Sequence, residues 1–282
     1  MKWAYLFLLP VIFASQDPAL GQKLSEKNDN MVLTILYNNK SLDTSIVADH
    51  GFSCLVEIGD RALLFDAGRI ADIFMTNVSN LEVDYAKIRW VFISHIHGDH
   101  MGGLFDMLGK CNQPQLYLPV SYPRHRGEPP GDQADRDFKA LLARLRPHVS
   151  EIIQQKEPVK FGDSFFSTGM IDDASYEQAL IIPTSKGLVI ITGCAHPGIL
   201  EIVRYAKELS GQDVFLVTGG FHLMRSDASQ IRSIADELRR LTKYIGPCHC
   251  TGDLAQDIFK EIFKDDYLDI QAGSRFSLED VE

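Results

Sequence analysis

Three imidazoles and a carboxylate fall within six residues of this chain: His95, His97, Asp99 and His100, with Gly102-Gly103 just behind. Imidazole nitrogen and carboxylate oxygen form the donor set of zinc, manganese and iron sites. His95 and His97 are two apart, so an extended backbone points both the same way, at one cation. Asp99 and His100 follow where a turn and a helix start would aim them at a second. A histidine-rich surface turn is the alternative. The apolar run Trp90–Ile93 in front and the glycine pair behind argue for a built site instead.

Three further histidines end apolar runs or short loops. His196 follows Leu188–Thr192, His222 follows Val214–Thr218, and His249 sits between Cys248 and Cys250. A sheet holds the bases of such residues while the loops aim them. His196 is expected to complete the first cation site with His95 and His97. His249 is expected to complete the second with Asp99 and His100. His222 is open to three readings: ligand, substrate contact or proton donor. As catalytic groups the reading takes Asp99 and His222. Asp66 ends the apolar run Ala62–Phe65; a carboxylate there needs partners, and bracing the histidine loop from behind supplies them. His50 points to the same region or is an ordinary histidine.

The elements that must position these groups are legible from hydrophobic runs. Strands are predicted over 31–39, 49–59, 62–68, 90–94, 115–119, 149–153, 165–169, 178–183, 187–193 and 213–222. Helices are predicted at 70–77, 104–108, 135–146, 199–209, 229–241 and 254–263. A short strand is expected within 268–278. Residues 121–137 are rich in proline, glycine and charge, which predicts an exposed loop that rims or covers the site. Hairpins come first and alternating strands and helices later, so helices should cover sheets in layers.

The bulk numbers exclude some functions. The chain has 282 residues, 45% hydrophobic and 23% charged, enough for a sizeable core. Its net charge of −10 disfavours nucleic acid as a partner. Five cysteines, an odd number at low density, do not make a disulfide scaffold. Lys2 precedes the apolar run Trp3–Phe13, then Ala14 and Ser15. Residues 1–21 therefore read as a secretory signal peptide, cleaved after Ala14 or Ser15 or near Gly21. The expected mature protein is exported, periplasmic or secreted, with no stable membrane insertion. Residues 31–282 are read as its single domain, and assembly is left open.

The stretch His95-Ile96-His97-Gly98-Asp99-His100 with Gly102-Gly103 resembles the signature of the metallo-β-lactamase superfamily, and Asp66 and His249 resemble its flanking signatures. Thr192-Gly193-Cys194-Ala195-His196, Gly219-Gly220-Phe221-His222-Leu223 and Pro247–Gly252 resemble one branch of it. That branch is the 7,8-dihydropterin-6-methyl-4-(β-D-ribofuranosyl)-aminobenzene-5′-phosphate synthase-like proteins. The resemblance implies an α/β fold, a four-layer αββα sandwich with metals at one edge. Many superfamily members carry a metal-bridging aspartate after a Thr-Gly pair. Here Cys194 holds that place, as a thiolate ligand or as a packing residue behind the site. The usual mid-chain histidine is absent near Thr168-Gly169-Met170, so His196 fills one of the two roles.

The reaction this implies is hydrolysis of a small-molecule phosphoester or other ester by a metal-activated hydroxide, with two Zn2+ ions, or Mn2+ or Fe2+. Rival readings are a phosphoribosyl-transferring pterin-pathway synthase, a di-iron redox protein, and a metal- or ligand-binding protein without turnover. No flavin-binding segment supports the redox reading.

Overall fold

The computed structural model describes residues 28–122, 132–162, 165–171 and 176–281. The expected signal peptide at 1–21 and most of the expected rim loop, residues 123–131, lie outside the described residues.

Thirteen described strands form two mixed sheets. They are β1 (Met31–Tyr37), β2 (Ser53–Ile58), β3 (Arg61–Phe65), β4 (Ile88–Phe92), β5 (Gln115–Tyr117), β6 (Glu151–Ile153), β7 (Val159–Phe161), β8 (Phe165–Ser167), β9 (Leu180–Thr184), β10 (Gly187–Thr192), β11 (Val214–Gly220), β12 (Thr242–Cys248) and β13 (Arg275–Ser277). One sheet has the order β13-β1-β2-β3-β4-β5-β6 and the other β12-β11-β10-β9-β8-β7.

The strands read as unbroken apolar runs because both of their faces are covered. Along β3, Leu63 and Phe65 enter a core shared by the two sheets, while Ala62 and Leu64 meet helices. Along β10, Val189 and Ile191 point to the shared core, and Leu188 and Ile190 to the helices behind. Each fully buried Leu, Ile or Phe contributes roughly 1.5–3 kcal/mol. Helices α1 (Ala71–Asn80), α2 (Gly98–Met101), α3 (Leu104–Leu108) and α4 (Asp132–Leu145) belong to the first sheet. Its outer core takes Phe74, Leu104 and Phe138 from three of them. Helices α5 (Ile199–Ser210), α6 (Ala228–Leu241) and α7 (Asp253–Phe263) cover the second with Ile202, Ile231 and Phe259. The layers are therefore helix, sheet, sheet, helix, as the superfamily resemblance implied. Among the described residues, no helix is long and apolar enough to cross a membrane.

Strands β3 to β6 run parallel, as do β10 to β12. Parallel strands bring their carboxyl ends to one edge, where loops collect chemistry. The sequence reading missed β12, since Gly246-Pro247 resembles a turn. The strand lies at the sheet edge, where a proline without an N–H is tolerated.

Two hydrogen-bonded crossings tie the sheets together beside that edge. Gln178, just before β9, donates from its backbone to Ser94 O (2.9 Å) and from its amide to Ile93 O (2.9 Å). Asn38, just after β1, accepts from His249 N (3.0 Å).

The glycine pair behind the histidines has a steric cause. A Cβ on Gly102 would lie 1.8 Å from Arg69 O, and one on Gly103 would lie 2.1 Å from Phe74 Cδ1. Gly102 N also donates to Gly68 O (2.7 Å), so the two loops are locked face to face. Gly102→Ala is expected to destabilise the fold by about 3 kcal/mol, the upper part of the overpacking range, in urea unfolding. An unchanged midpoint would contradict this close approach.

Candidate metal centre

The chain leaves four of these strands by a sharp turn. Asp66 after β3, Ala195 after β10, His222 after β11 and His249 after β12 all have left-handed backbone, with φ of 53°, 60°, 52° and 48°. Such non-glycine residues cost about 1–3 kcal/mol each and gather where function demands them. Here the turns aim side chains from four loops at one volume.

Three groups of ligand-type atoms result among the described residues, each with all its atoms within 4.8 Å of one another. They are Asp99, His100, Cys194 and His249; His95, Cys194 and His196; and Cys194, His222 and Cys250. The Cys194 sulfur belongs to all three. It lies 3.2 Å from His100 Nε2 and 3.5 Å from His249 Nε2. Asp99 Oδ2 lies 3.3 Å from His249 Nε2 and 3.7 Å from His100 Nε2. His97 packs beside the second group, its ring centroid 4.6 Å from that of His95 and 5.0 Å from that of His196. His222 is exposed and joins the third group, its ring 4.5 Å from His196.

The far side of each ring shows what the near side is for. Ser94 Oγ donates to Asp66 Oδ2 (2.7 Å), so its lone pair accepts from His95 Nδ1 (3.0 Å). That leaves His95 Nε2 a bare lone pair, fully buried and without a hydrogen-bond partner. His196 Nδ1 donates to Glu177 Oε2 (2.7 Å), and His249 Nδ1 to Asn39 Oδ1 (3.0 Å). His100 Nδ1 donates to Asp66 Oδ2 (2.7 Å). Acceptors behind ring nitrogens fix the tautomer that metal ligands require. A buried nitrogen lone pair with nothing to accept costs about 1–3 kcal/mol. A cation satisfies it, so these residues fit a pair of divalent ions.

The electrostatics agree. Burial pushes His95 well down, and His97 and His249 down, favouring the neutral rings that ligate. Burial would raise the Asp99 carboxyl, but its contact with the His249 ring and the charge on His100 pull it far below its usual range. His100 behaves differently. Burial would lower it, but the charge and hydrogen bond of Asp66, then Asp99, raise it to about 9. A hydrogen bond with Cys250, then burial, holds the Cys194 thiol well above its ordinary range.

Several supporting residues carry no spacing signal and were not read from the sequence. Glu177 is almost fully buried. It accepts from the backbone N–H of Cys194 (2.9 Å), Ala195 (2.7 Å) and His196 (2.9 Å), and so shapes that loop. Asn39 holds His249 with its oxygen, while its amide nitrogen donates to His50 Nδ1 (3.2 Å). His50 Nε2 then faces Asp99 Oδ2 at 3.3 Å, which places His50 at the mouth of the centre. Asn39→Ala frees both rings. The expected result is a loss of roughly 10–100-fold in metal affinity with melting little changed, read by competition with a chromophoric chelator. Unchanged affinity would contradict the bracing role.

Residues 47–205 match the Metallo-beta-lactamase superfamily. The chain belongs to that superfamily, and its fold and ligand clusters class it as a metal-dependent enzyme of this kind. It is 29% identical over 287 residues to a 7,8-dihydropterin-6-methyl-4-(beta-D-ribofuranosyl)-aminobenzene-5'-phosphate synthase of Methanocaldococcus jannaschii, covering 88% of this chain and 96% of that protein. A crystal structure described as a metal-dependent hydrolase of the beta-lactamase superfamily superposes with a TM-score of 0.70 at 27% identity, covering 88% of this chain and 99% of that one. The metallo-beta-lactamase fold protein YhfI from Bacillus subtilis superposes with a TM-score of 0.61 at 16% identity, over 88% and 99%.

Proposed function

We propose that this protein is a hydrolase that uses two divalent cations, zinc first among them, on a small phosphoester or related ester. One observation carries the reading: the imidazoles of His95, His100, His196 and His249 converge while each opposite nitrogen is held by Ser94, Asp66, Glu177 or Asn39. His95, His97 and His196 would hold one cation, and Asp99, His100 and His249 the other, and the Cys194 sulfur is within reach of both groups. When bound, the cations supply Lewis acidity and lower the pKa of water.

The chain's own groups do the rest. Asp99 Oδ2 is steered by His249 and His50 and is placed to accept a hydrogen bond from the attacking water. His222, exposed beside His196, is placed to meet the leaving group. Rigid loops keep these groups aimed before substrate arrives. A phosphoester suits the reading better than a β-lactam, because the synthase relative carries a 5'-phosphate in its name. That same similarity supports a second reading, a synthase-like transfer of a phosphoribosyl group.

The test is turnover of phosphomonoester, phosphodiester, lactone and β-lactam substrates by native, chelated and metal-restored protein, with the products identified. Metal-restored cleavage with water as acceptor supports hydrolysis. A coupled product without cleavage supports the transfer. No metal-dependent turnover of either kind overturns the proposal. Export is proposed from residues 1–21 and is tested by fractionation of the cells that make the protein.

Metal uptake should depend on pH with a definite sign. His100, raised to about 9, and Cys194, raised further, both carry protons at neutral pH. A cation must displace both, so affinity increases with pH. Log affinity should gain about 2 per pH unit between roughly pH 6 and 8, with about two protons released. Calorimetry in buffers of different ionisation enthalpy reads that number. Zero released protons would contradict it.

A further inference from the structure

Cys250 has no part in the two groups that would hold the cation pair, yet its sulfur lies within 4.8 Å of the Cys194 sulfur. All five cysteines are free thiols. Cys250 Sγ also approaches Cys194 O at 3.6 Å, which holds the side chain over the Cys194 loop. Gly220 makes room for it: a Cβ there would lie 2.6 Å from Cys250 Sγ. The two residues sit on loops, Cys194 after β10 and Cys250 in the turn His249–Thr251, rather than inside paired strands. Cys248, two residues away, instead packs in the core between the sheets. Cys194 and Cys250 are 3% and 5% exposed, but exposed His222 completes their group and opens a side to solvent.

We infer that Cys194 and Cys250 form a reversible oxidation site, whose disulfide withdraws the sulfur shared by the metal-binding groups. Bond formation needs the sulfurs to close from within 4.8 Å to about 2.0 Å. The oxidant is a low-molecular-weight disulfide. One cysteine sulfur attacks it and releases one small thiol, leaving a mixed disulfide. The second cysteine sulfur attacks that bond, forms the Cys194–Cys250 bond and releases a second small thiol. The two cysteine protons leave with the two thiols, and the small disulfide is the species reduced. A disulfide sulfur is a far weaker ligand than a thiolate, so the closed form should not reload with metal. A cation engaged by Cys194 draws charge from its sulfur and makes it a weaker nucleophile, so the metal-free protein is the sensitive state.

The test treats the full chain, chelated or zinc-loaded, with oxidised glutathione. Non-reducing peptide mapping is followed by zinc uptake, before and after addition of a phosphine reductant. The expected result is a cross-link joining the peptides that hold Cys194 and Cys250, formed faster without zinc. Zinc uptake should fall at least about tenfold and return on reduction. Cys250→Ser, whatever its starting uptake, should form no cross-link and lose far less of that uptake under oxidant than the wild type. A folded chain with no such cross-link overturns the inference, as does a cross-linked chain that still takes up zinc. Equal loss of uptake in Cys250→Ser and wild type also overturns it. The reduced wild-type arm tests the metal centre itself, so failure there is distinguishable.

Discussion

Asp66→Ala should melt roughly 6–20 °C below the wild type and fail to hold metal. Asp66 is fully buried, and three donors converge on it: Ser94 N, Ser94 Oγ and His100 Nδ1, each at 2.7 Å. Burial pushes its carboxyl up while His100 pulls it back. A protonated carboxyl would add a fourth donor to a shell that already points three donors at it, so the ionised form is the one this shell accommodates. Removing it leaves the His100 charge and the Ser94 groups unpaired. Breaking a buried pair this way costs about 3–5 kcal/mol, and a chain of this size loses about 2–4 °C per kcal/mol. The effect spreads, because the same Ser94 hydroxyl sets the tautomer of His95. Thermal unfolding with metal analysis checks this. A variant melting within a degree of wild type, with its metal intact, would contradict the bracing role.

Cys194→Ala should remove metal from both groups rather than from one. The Cys194 sulfur is the atom that the Asp99-His100-His249 group and the His95-His196 group have in common. Loss of an outer partner costs roughly 10–100-fold in affinity or activity. Loss of a shared ligand should exceed that, with turnover down about 1000-fold or more and metal content below one ion per chain. The fold should survive, since removing one buried thiol leaves only a small cavity. Cys194→Asp introduces the carboxylate that the superfamily resemblance implies at this place. It should recover part of the metal content and shift preference from zinc toward manganese. Two ions retained in Cys194→Ala would contradict a shared ligand.

Much of this arrangement was legible because ligand-bearing loops follow strands buried on both faces. Such strands read as plain hydrophobic runs, and the polar burst after each is conspicuous: Phe92-Ile93 before His95, Ile191-Thr192 before Cys194, Val217-Thr218 before His222. The helices were legible from the same contrast; Ile199, Ile202, Val203 and Ala206 fall on the buried face of α5. What stayed hidden was long-range. Glu177 is one acid in a loop, and its partners lie 17 to 19 residues away. Asn39 meets His249 across 210 residues. No local period marks such a pair, because only the stacking of the sheets brings the residues together. His50 was open for the same reason, and β12 because Gly246-Pro247 masks an edge strand. Cys194 could be read as ligand or packing. The geometry places its sulfur at the meeting point of every ligand group.

Native mass spectrometry of the reduced full-length protein tests the central claim most directly, since it counts ions on the folded chain. The account predicts a species carrying two divalent cations, lost together on chelation and regained together on zinc addition. A folded chain that holds no cation, or never more than one, would contradict it.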